Sequence, residues 1–396
     1  SDDSALGGSV IKNSLRFNKA DNASLTRSPS STTNDTKHTL SFWFKICTLI
    51  NATNQGVMFA GGSDGSYAYV QLWNGTFYFG NSAGPYWNGN TTSLRFRDFN
   101  AWYHAVIVID TTQSTANDRQ KLYINGVQQE RGGGTNPNQN DNYEFLTNSS
   151  WTYYIGKRAA NDMNFEGYMA EINFVQGQAL DASYFGYTES QTGIWRPKRY
   201  EGTYGDNGFH LDFNDNSSVA SLGIDKSPNG NDWSVNGVEI DLGTHDDSMI
   251  DTPTNNFPTL NPSNRSSGPT LDWGNLYFFY NYKPATKTAR STFRLPKSGK
   301  YYWEWENNEA SSNPGRWQST IGNVVNIATN SVDVNAANNA NFVSYSYGGS
   351  TWNGTTHVSA SWDGTTRSWY RPQRAAWAVD CDTGNIFLGR VADDAT

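Results

Sequence analysis

Apolar and polar residues alternate with a period of two through most of the first 190 positions. In Leu40-Ser-Phe-Trp-Phe-Lys-Ile46, Leu40, Phe42, Phe44 and Ile46 point one way, and Ser41, Trp43 and Lys45 the other. That period is the mark of a strand. Tyr67-Ala-Tyr-Val-Gln-Leu-Trp73 repeats it, and Asn74-Gly75 then turns the chain into Thr76-Phe-Tyr-Phe79. Asn-Gly between two such runs predicts a tight hairpin, because both residues tolerate positive φ. A second hairpin is predicted at Lys121-Leu-Tyr-Ile-Asn-Gly-Val-Gln128. Trp102-Tyr-His-Ala-Val-Ile-Val-Ile-Asp110 is almost continuously apolar and predicts a central strand covered on both faces, and Gly167–Val175 predicts a last strong strand. No sustained 3.6-residue period occurs; the one helical hint is a turn at Asp181-Ala-Ser-Tyr-Phe185.

Residues 191–265 change character. Two strand-like pieces, Gly208–Phe213 and Asp232–Val235, lie in turn-rich sequence, and Asp251-Thr-Pro-Thr-Asn-Asn-Phe-Pro-Thr-Leu-Asn-Pro262 carries three prolines. Proline fixes φ and removes a ladder donor, so this part is expected to be an extended connector. Short aromatic strands return over 266–396, at Leu276–Tyr280, Lys300–Glu306, Asn341–Tyr347 and Arg374–Asp380. The fold class expected is all-β, with two antiparallel β-sandwiches, 1–190 and 266–396, separated by the connector 191–265. The first 190 residues are expected to fold alone.

Composition narrows the function. Lys+Arg is 29 and Asp+Glu is 37, giving a net charge of −8, opposite to what a nucleic-acid backbone selects. Nucleic acid is therefore not an expected partner. The 15 Trp, 22 Tyr and 20 Phe supply core material that a disordered chain would lack. No apolar run approaches the ~20 residues that span a bilayer, so membrane insertion is not expected. Cys47 and Cys381 are too few for a disulfide framework or a cysteine zinc site. The chain starts at Ser1 without Met and ends without a stop-like tail, and the natural protein is expected to continue beyond Thr396.

Several segments carry a family resemblance. Ser14-Leu-Arg-Phe17 with Ala23-Ser-Leu-Thr26, Leu40–Lys45, Trp102–Asp110, Lys121–Val127, and Tyr154-Ile-Gly156 followed by Phe165–Ile172 resemble laminin-G-like, or concanavalin A-like, jelly rolls in order and spacing. Gly208–Asn216, Leu222-Gly-Ile-Asp-Lys-Ser-Pro-Asn-Gly-Asn-Asp-Trp233 and Asp247–Pro262 resemble a stereotyped stretch of structural proteins of tailed phages, the marine type above all. Tyr301–Glu306 and Ala376–Gly389 resemble strands of a SPRY-like sandwich, without the usual Gly before the last apolar run. The resemblance implies a virion surface protein, made in the host cytoplasm, that touches other virion proteins and assembles as a homotrimeric fibre or spike.

Catalytic patterns are sparse. Jelly rolls host glycosidases, whose two carboxylates must face one bond, and β-glucanase relatives carry Glu-x-Asp-x-x-Glu. The nearest match is Glu239-Ile-Asp-Leu-Gly-Thr244, which ends in Thr. Glu304 and Glu306 share a strand face but flank Trp305. The five histidines, His38, His104, His210, His245 and His357, stand in separate segments without a Gly-x-Ser-x-Gly elbow. His104, within the central strand, is expected to be structural. No enzyme is expected.

Two binding chemistries remain. Calcium takes carboxylate and carbonyl oxygens, and the jelly-roll resemblance implies a rim site, for which the loops with Asp64, Asn161 and Asp162 are candidates. Sugars stack their C–H faces on aromatic rings. Ala68, Val70 and Leu72 are the compact choice for a core face, leaving Tyr67, Tyr69 and Trp73 opposite; Tyr78, Tyr86 and Trp87 follow within the next fifteen residues, Trp87 in a Gly/Asn/Pro loop. The expected function is host-surface recognition through a cell-surface glycan. The alternatives are a purely structural virion part and, third, a glycan hydrolase.

Overall fold

The computed structural model describes residues 8–33, 35–48, 56–63, 66–81, 86–88, 95–160, 163–240, 246–279, 289–307, 318–322, 342–346, 350–352, 357–359 and 373–391. The chain divides into two compact units, Ser1–Ser263 with Leu271–Phe278, and Asn264–Thr270 with Phe279–Thr396. Its regular structure is antiparallel strand, with only short 3-10 turns among the described residues. None of its described helices could cross a membrane.

Strands of the first unit are β1 (Ser14–Phe17), β2 (Ser24–Arg27), β3 (Lys37–Ile46), β4 (Gly56–Ser63), β5 (Ser66–Trp73), β6 (Thr76–Asn81), β7 (Tyr86–Asn88), β8 (Tyr103–Asp110) and β9 (Gln120–Ile124). They continue as β10 (Val127–Gln128), β11 (Gly133–Thr135), β12 (Tyr153–Ile155), β13 (Gly167–Gln176), β14 (Gly186–Thr188), β15 (Trp195–Pro197), β16 (Phe209–Leu211), β17 (Ser234–Asn236) and β18 (Ser248–Met249). A back sheet runs β10-β9-β8-β3-β13-β1-β18, with β16 also paired to β13, and a front sheet runs β11-β7-β6-β5-β4-β12-β2-β17. Their facing side chains form one core: Leu40, Phe42 and Phe44, Ala105 and Ile107, Met169 and Phe174 from the back, Phe59, Val70, Leu72, Phe77, Phe79 and Ile155 from the front.

Both Asn-Gly hairpins form as predicted. Asn74 and Gly75 sit at φ 50° and 73°, Asn125 and Gly126 at 48° and 80°. Gly126 is doubly constrained, since a Cβ there would lie 2.3 Å from the Trp195 ring. The helical hint becomes a single 3-10 turn, Ala182–Tyr184, capped by the Asp181 side chain.

The central strands are covered on both faces. Behind β8, Val106 and Val108 pack with Val175, Leu180, Phe185, Tyr200 and Tyr204. Trp43 packs with Ile11, Trp102, Tyr168 and Ala170. Even Lys45, on the outer face of β3, is fully buried.

This cover displaces the boundary expected at 190. Residues 191–265 were expected to connect, yet β16 pairs β13, β17 pairs β2 and β18 pairs β1. Phe209, Leu211, Phe213, Leu222, Trp233 and Val238 belong to the main core. The prolines obscured the reason. Prolines leave side chains free to bond, and here the side chains clamp the segment down. Lys45 Nζ donates to Asp251 Oδ2 at 2.7 Å, to Asn256 Oδ1 at 2.9 Å and to the Phe257 carbonyl at 2.9 Å, which uses all three ammonium donors. Trp102 Nε1 donates to Asp251 Oδ1 at 2.9 Å. Thr254 Oγ1 accepts from Ile11 N and donates to Ile11 O.

In the second unit, Lys300–Asn307 pairs with Gln373–Asp380, which pairs with Asn385–Val391. Gln318–Gly322, Phe342–Ser346, Ser350–Trp352 and His357–Ser359 form a four-stranded meander. Trp377 is fully buried, with the Trp303 ring stacked on it at 6.2 Å.

Candidate functional site

The outer face of the front sheet gathers the aromatic residues that the alternation of β5 predicts. Ala68, Val70 and Leu72 are at most 1% exposed, on the core side. Tyr69, Gln71 and Trp73 therefore point away from the core. Ladder registers place Thr26, Tyr154, Ala60, Tyr69 and Gly80 in one row across five strands. Rings thus alternate with small residues along the row. The two tyrosines stand two strands apart, roughly 10 Å by strand spacing. Lys157 Nζ lies 5.7 Å above the Tyr154 ring.

Trp73 ends this face. Its ring is 40% exposed and lies 5.2 Å from that of Tyr78, which is buried beneath it. The Asn74-Gly75 turn follows directly, and Phe96 N donates to the Gly75 carbonyl at 3.1 Å. Thr76 Oγ1 donates to the Trp73 carbonyl at 3.0 Å. A large ring held on a braced hairpin loses little freedom on binding, which favours stacking against a ligand.

The structure places the other expected residues as follows. Tyr67 lies on β5 with its backbone paired to Gly62, and its side chain is outside the described residues. Trp87, expected in a loop, instead lies with Tyr86 on β7. Their backbones pair with Gly80 and Phe79, and their side chains are outside the described residues. The calcium candidates Asp64, Asn161 and Asp162 also lie outside the described residues. Among the described residues, no three His, Cys, Asp or Glu side chains gather into a metal site. Sequence reasoning missed Tyr154: the alternation in Tyr153-Tyr-Ile155 puts it on the outer face, but its place in a row with Tyr69 depends on the ladder through β4.

The described histidines serve the fold. Trp195 Nε1 donates to His104 Nδ1 at 2.9 Å, so the ring proton sits on Nε2 and is given to Ser41 Oγ at 2.9 Å. A triad needs the reverse: a carboxylate on Nδ1 and a free Nε2 to take the serine proton. His104 is also sandwiched between Trp43 and Trp195. Burial pushes the pKa values of His38 and His104 down to about 3. For His210, burial lowers the pKa, but the hydrogen bond and charge of Glu171 at 2.7 Å outweigh it and the net shift is upward. Of the Glu239 motif, residues 241–245 lie outside the described residues, while Glu239 N caps the Asp247 carboxylate at 2.9 Å. Glu304 is exposed and accepts from Tyr302 Oη.

Acid sensitivity follows. The unfolded chain protonates each histidine near 6.5, and the folded chain protonates His38 and His104 only near 3. Between those values the unfolded state binds more protons, so stability falls as pH falls, by about 2 kcal/mol per histidine at pH 5. Among the described residues neither ring nitrogen of His38 has a hydrogen-bond partner, so His38→Phe removes no bond seen there. Urea unfolding at pH 7 and pH 5 should show the variant losing about 2 kcal/mol less on acidification than the parent. An equal loss in both would rule out His38 as a buried neutral group.

Comparison with known proteins agrees with this architecture. Residues 18–183 match the Concanavalin A-like lectin/glucanases superfamily, and the first unit is a concanavalin A-like jelly roll. No curated protein sequence matches the chain. Among solved structures, it is similar to the heptameric SAP-like pentraxin of Limulus polyphemus, at 16% identity and a TM-score of 0.30, over 52% of this chain and 94% of the pentraxin. It is similar to domains LG4-5 of the mouse laminin alpha1 chain, at 10% identity and a TM-score of 0.30, over 98% of this chain and 79% of that one. The receptor binding domain of botulinum neurotoxin mosaic serotype C/D matches at 16% identity and a TM-score of 0.27, over 44% of this chain and 49% of that one.

Proposed function

We propose that the protein is a non-enzymatic saccharide-binding protein of a phage virion, which uses the outer face of the front sheet to recognise a host envelope glycan. The observation that carries the binding role is Trp73, an exposed indole braced by Tyr78 and a tight hairpin, in line with Tyr69 on the same strand face. Lectin-type relatives in the matching superfamily support the same role. The virion setting rests on the resemblance of 208–216, 222–233 and 247–262 to phage structural proteins. So do the SPRY-like reading of 266–396, contact with other virion proteins and a homotrimeric fibre. Aromatic stacking contributes roughly 0.5–1.5 kcal/mol per ring, so one site binds weakly and several copies supply avidity.

Trp73→Ala should weaken binding of the full chain to host-envelope polysaccharide by about 2- to 13-fold, the equivalent of one ring contact. Its thermal midpoint should stay close to the parent's, since Trp73 lies on the outer face of the sheet and not in the main core. Tyr69→Ala combined with it should weaken binding further. Undiminished binding in the double variant would sink the assignment of this face. Loss of assembly instead would make these rings interface and favour a structural virion part. Release of reducing ends by the parent protein would show a hydrolase.

A further inference from the structure

Lys45, Asp251 and Asn256 form a constellation that the saccharide face does not use. The Lys45 side chain is fully buried, and that of Asp251 is 4% exposed. Lys45 Nζ lies 2.7 Å from Asp251 Oδ2 and 2.9 Å from Asn256 Oδ1. An amine is therefore held against a carboxamide, with a carboxylate on the same nitrogen. Aromatic groups close the site: Trp102 Nε1 donates to Asp251 Oδ1, and the Tyr168 ring lies 5.9 Å from Nζ. Asn256 Nδ2 donates outward to the Asn100 carbonyl at 2.7 Å. The carboxamide is thus pinned with its oxygen toward the lysine and its nitrogen toward the surface. Asn256 itself is a surface residue, so ammonia formed there can leave.

We propose that Lys45 and Asn256 join in an intramolecular isopeptide bond, with Asp251 as the proton carrier. Asp251 takes a proton from the Lys45 ammonium along the 2.7 Å hydrogen bond. The free amine attacks Asn256 Cγ, forming the new C–N bond. The attacking nitrogen still carries two protons: as Asp251 passes its first proton to Asn256 Nδ2 it takes the second from Nζ, the Cγ–Nδ2 bond breaks, ammonia leaves, and Asp251 is left protonated beside the neutral amide. No oxidant, metal or cofactor enters the balance. Holding the groups in contact replaces a bimolecular encounter with an intramolecular one, which is the main advantage such a site offers an otherwise sluggish amide exchange. The product links β3 covalently to the segment that covers it.

Mass spectrometry of the full chain tests this. The intact protein should be lighter than its sequence mass by one ammonia. Trypsin should fail to cut after Lys45 and should release a branched peptide joining the Lys45 and Asn256 segments. Asn256→Ala, a change at the surface that leaves the Lys45–Asp251 pair in place, should restore the full mass and cleavage after Lys45. Asp251→Asn should do the same. Succinimides at Asn-Gly turns also lose ammonia, but mild alkali hydrolyses them and they give no branched peptide. Full sequence mass with separate Lys45 and Asn256 peptides after denaturation would overturn the proposal. So would a mass deficit that alkali abolishes, or one that persists in Asn256→Ala.

Discussion

A fragment ending at residue 190 is expected to be unfolded or aggregated, while one ending at residue 278 folds cooperatively. The shorter fragment loses Phe209, Leu211, Phe213, Leu222, Trp233 and Val238 from the main core. Burying a large apolar side chain contributes about 1.5–3 kcal/mol, so these six represent roughly 9–18 kcal/mol. Domain stabilities total only about 5–15 kcal/mol. The truncation also removes buried ion-pair partners. Arg16 and Lys45 are buried against Asp247 and Asp251, and the shorter fragment lacks both carboxylates. The back sheet would further lose Trp195, Tyr200 and Tyr204 from its outer side. Fragment 1–278 keeps all of these groups and matches the first compact unit. Near-ultraviolet circular dichroism and urea titration of both fragments provide the measurement. A soluble 1–190 fragment with a single sharp unfolding transition would show that the later segments are accessory.

The sequence made the strands legible because alternation and Asn-Gly turns are local signals. Leu40–Ile46, Tyr67–Phe79 and Trp102–Asp110 appear as strands close to where the pattern placed them. The double coverage of β8 was legible too, since Val106 and Val108 are as apolar as Ala105 and Ile107 on the other face. The function of the Asp251–Pro262 stretch was not. Three prolines and no period resemble a linker, and the bonds that hold it reach back more than 200 residues to Lys45. A partner that distant in sequence leaves no periodic trace. Asp225, by contrast, is held locally: its carboxylate accepts from His210 N, Ser227 N and Asn231 N. Its motif, Asp-Lys-Ser-Pro-Asn-Gly-Asn-Asp232, folds as a compact loop whose own residues satisfy that carboxylate. On the candidate face, Tyr69 and Trp73 were readable from one strand. Tyr154 was not, because its place beside Tyr69 depends on a ladder through β4 that joins distant segments.

Asp247→Ala should destabilise the first unit by about 3–5 kcal/mol, the usual result of removing one member of a buried ion pair. Arg16 is 1% exposed. Its Nε donates to Asp247 Oδ1 at 2.7 Å and its Nη1 to the Trp273 carbonyl at 3.1 Å. Alanine removes the carboxylate to which Nε donates and also the acceptor of Glu239 N. Burial nevertheless raises the Asp247 pKa above the ordinary carboxylate range, outweighing the pull of Arg16. A raised folded-state value means that ionising this carboxyl is harder in the fold than in the unfolded chain. Its contribution is therefore greatest at low pH and diminishes as pH rises through the folded-state value. Desolvation thus exceeds pairing at this site, and the pair is not a net source of stability at neutral pH. Replacing both partners, Arg16→Met with Asp247→Leu, should accordingly recover most of the loss caused by Asp247→Ala. Urea unfolding of the two single variants and the double variant at pH 7 gives the coupling directly. A double variant that is as unstable as Asp247→Ala would show that Arg16 holds the fold through its bond to the Trp273 carbonyl rather than through its charge partner.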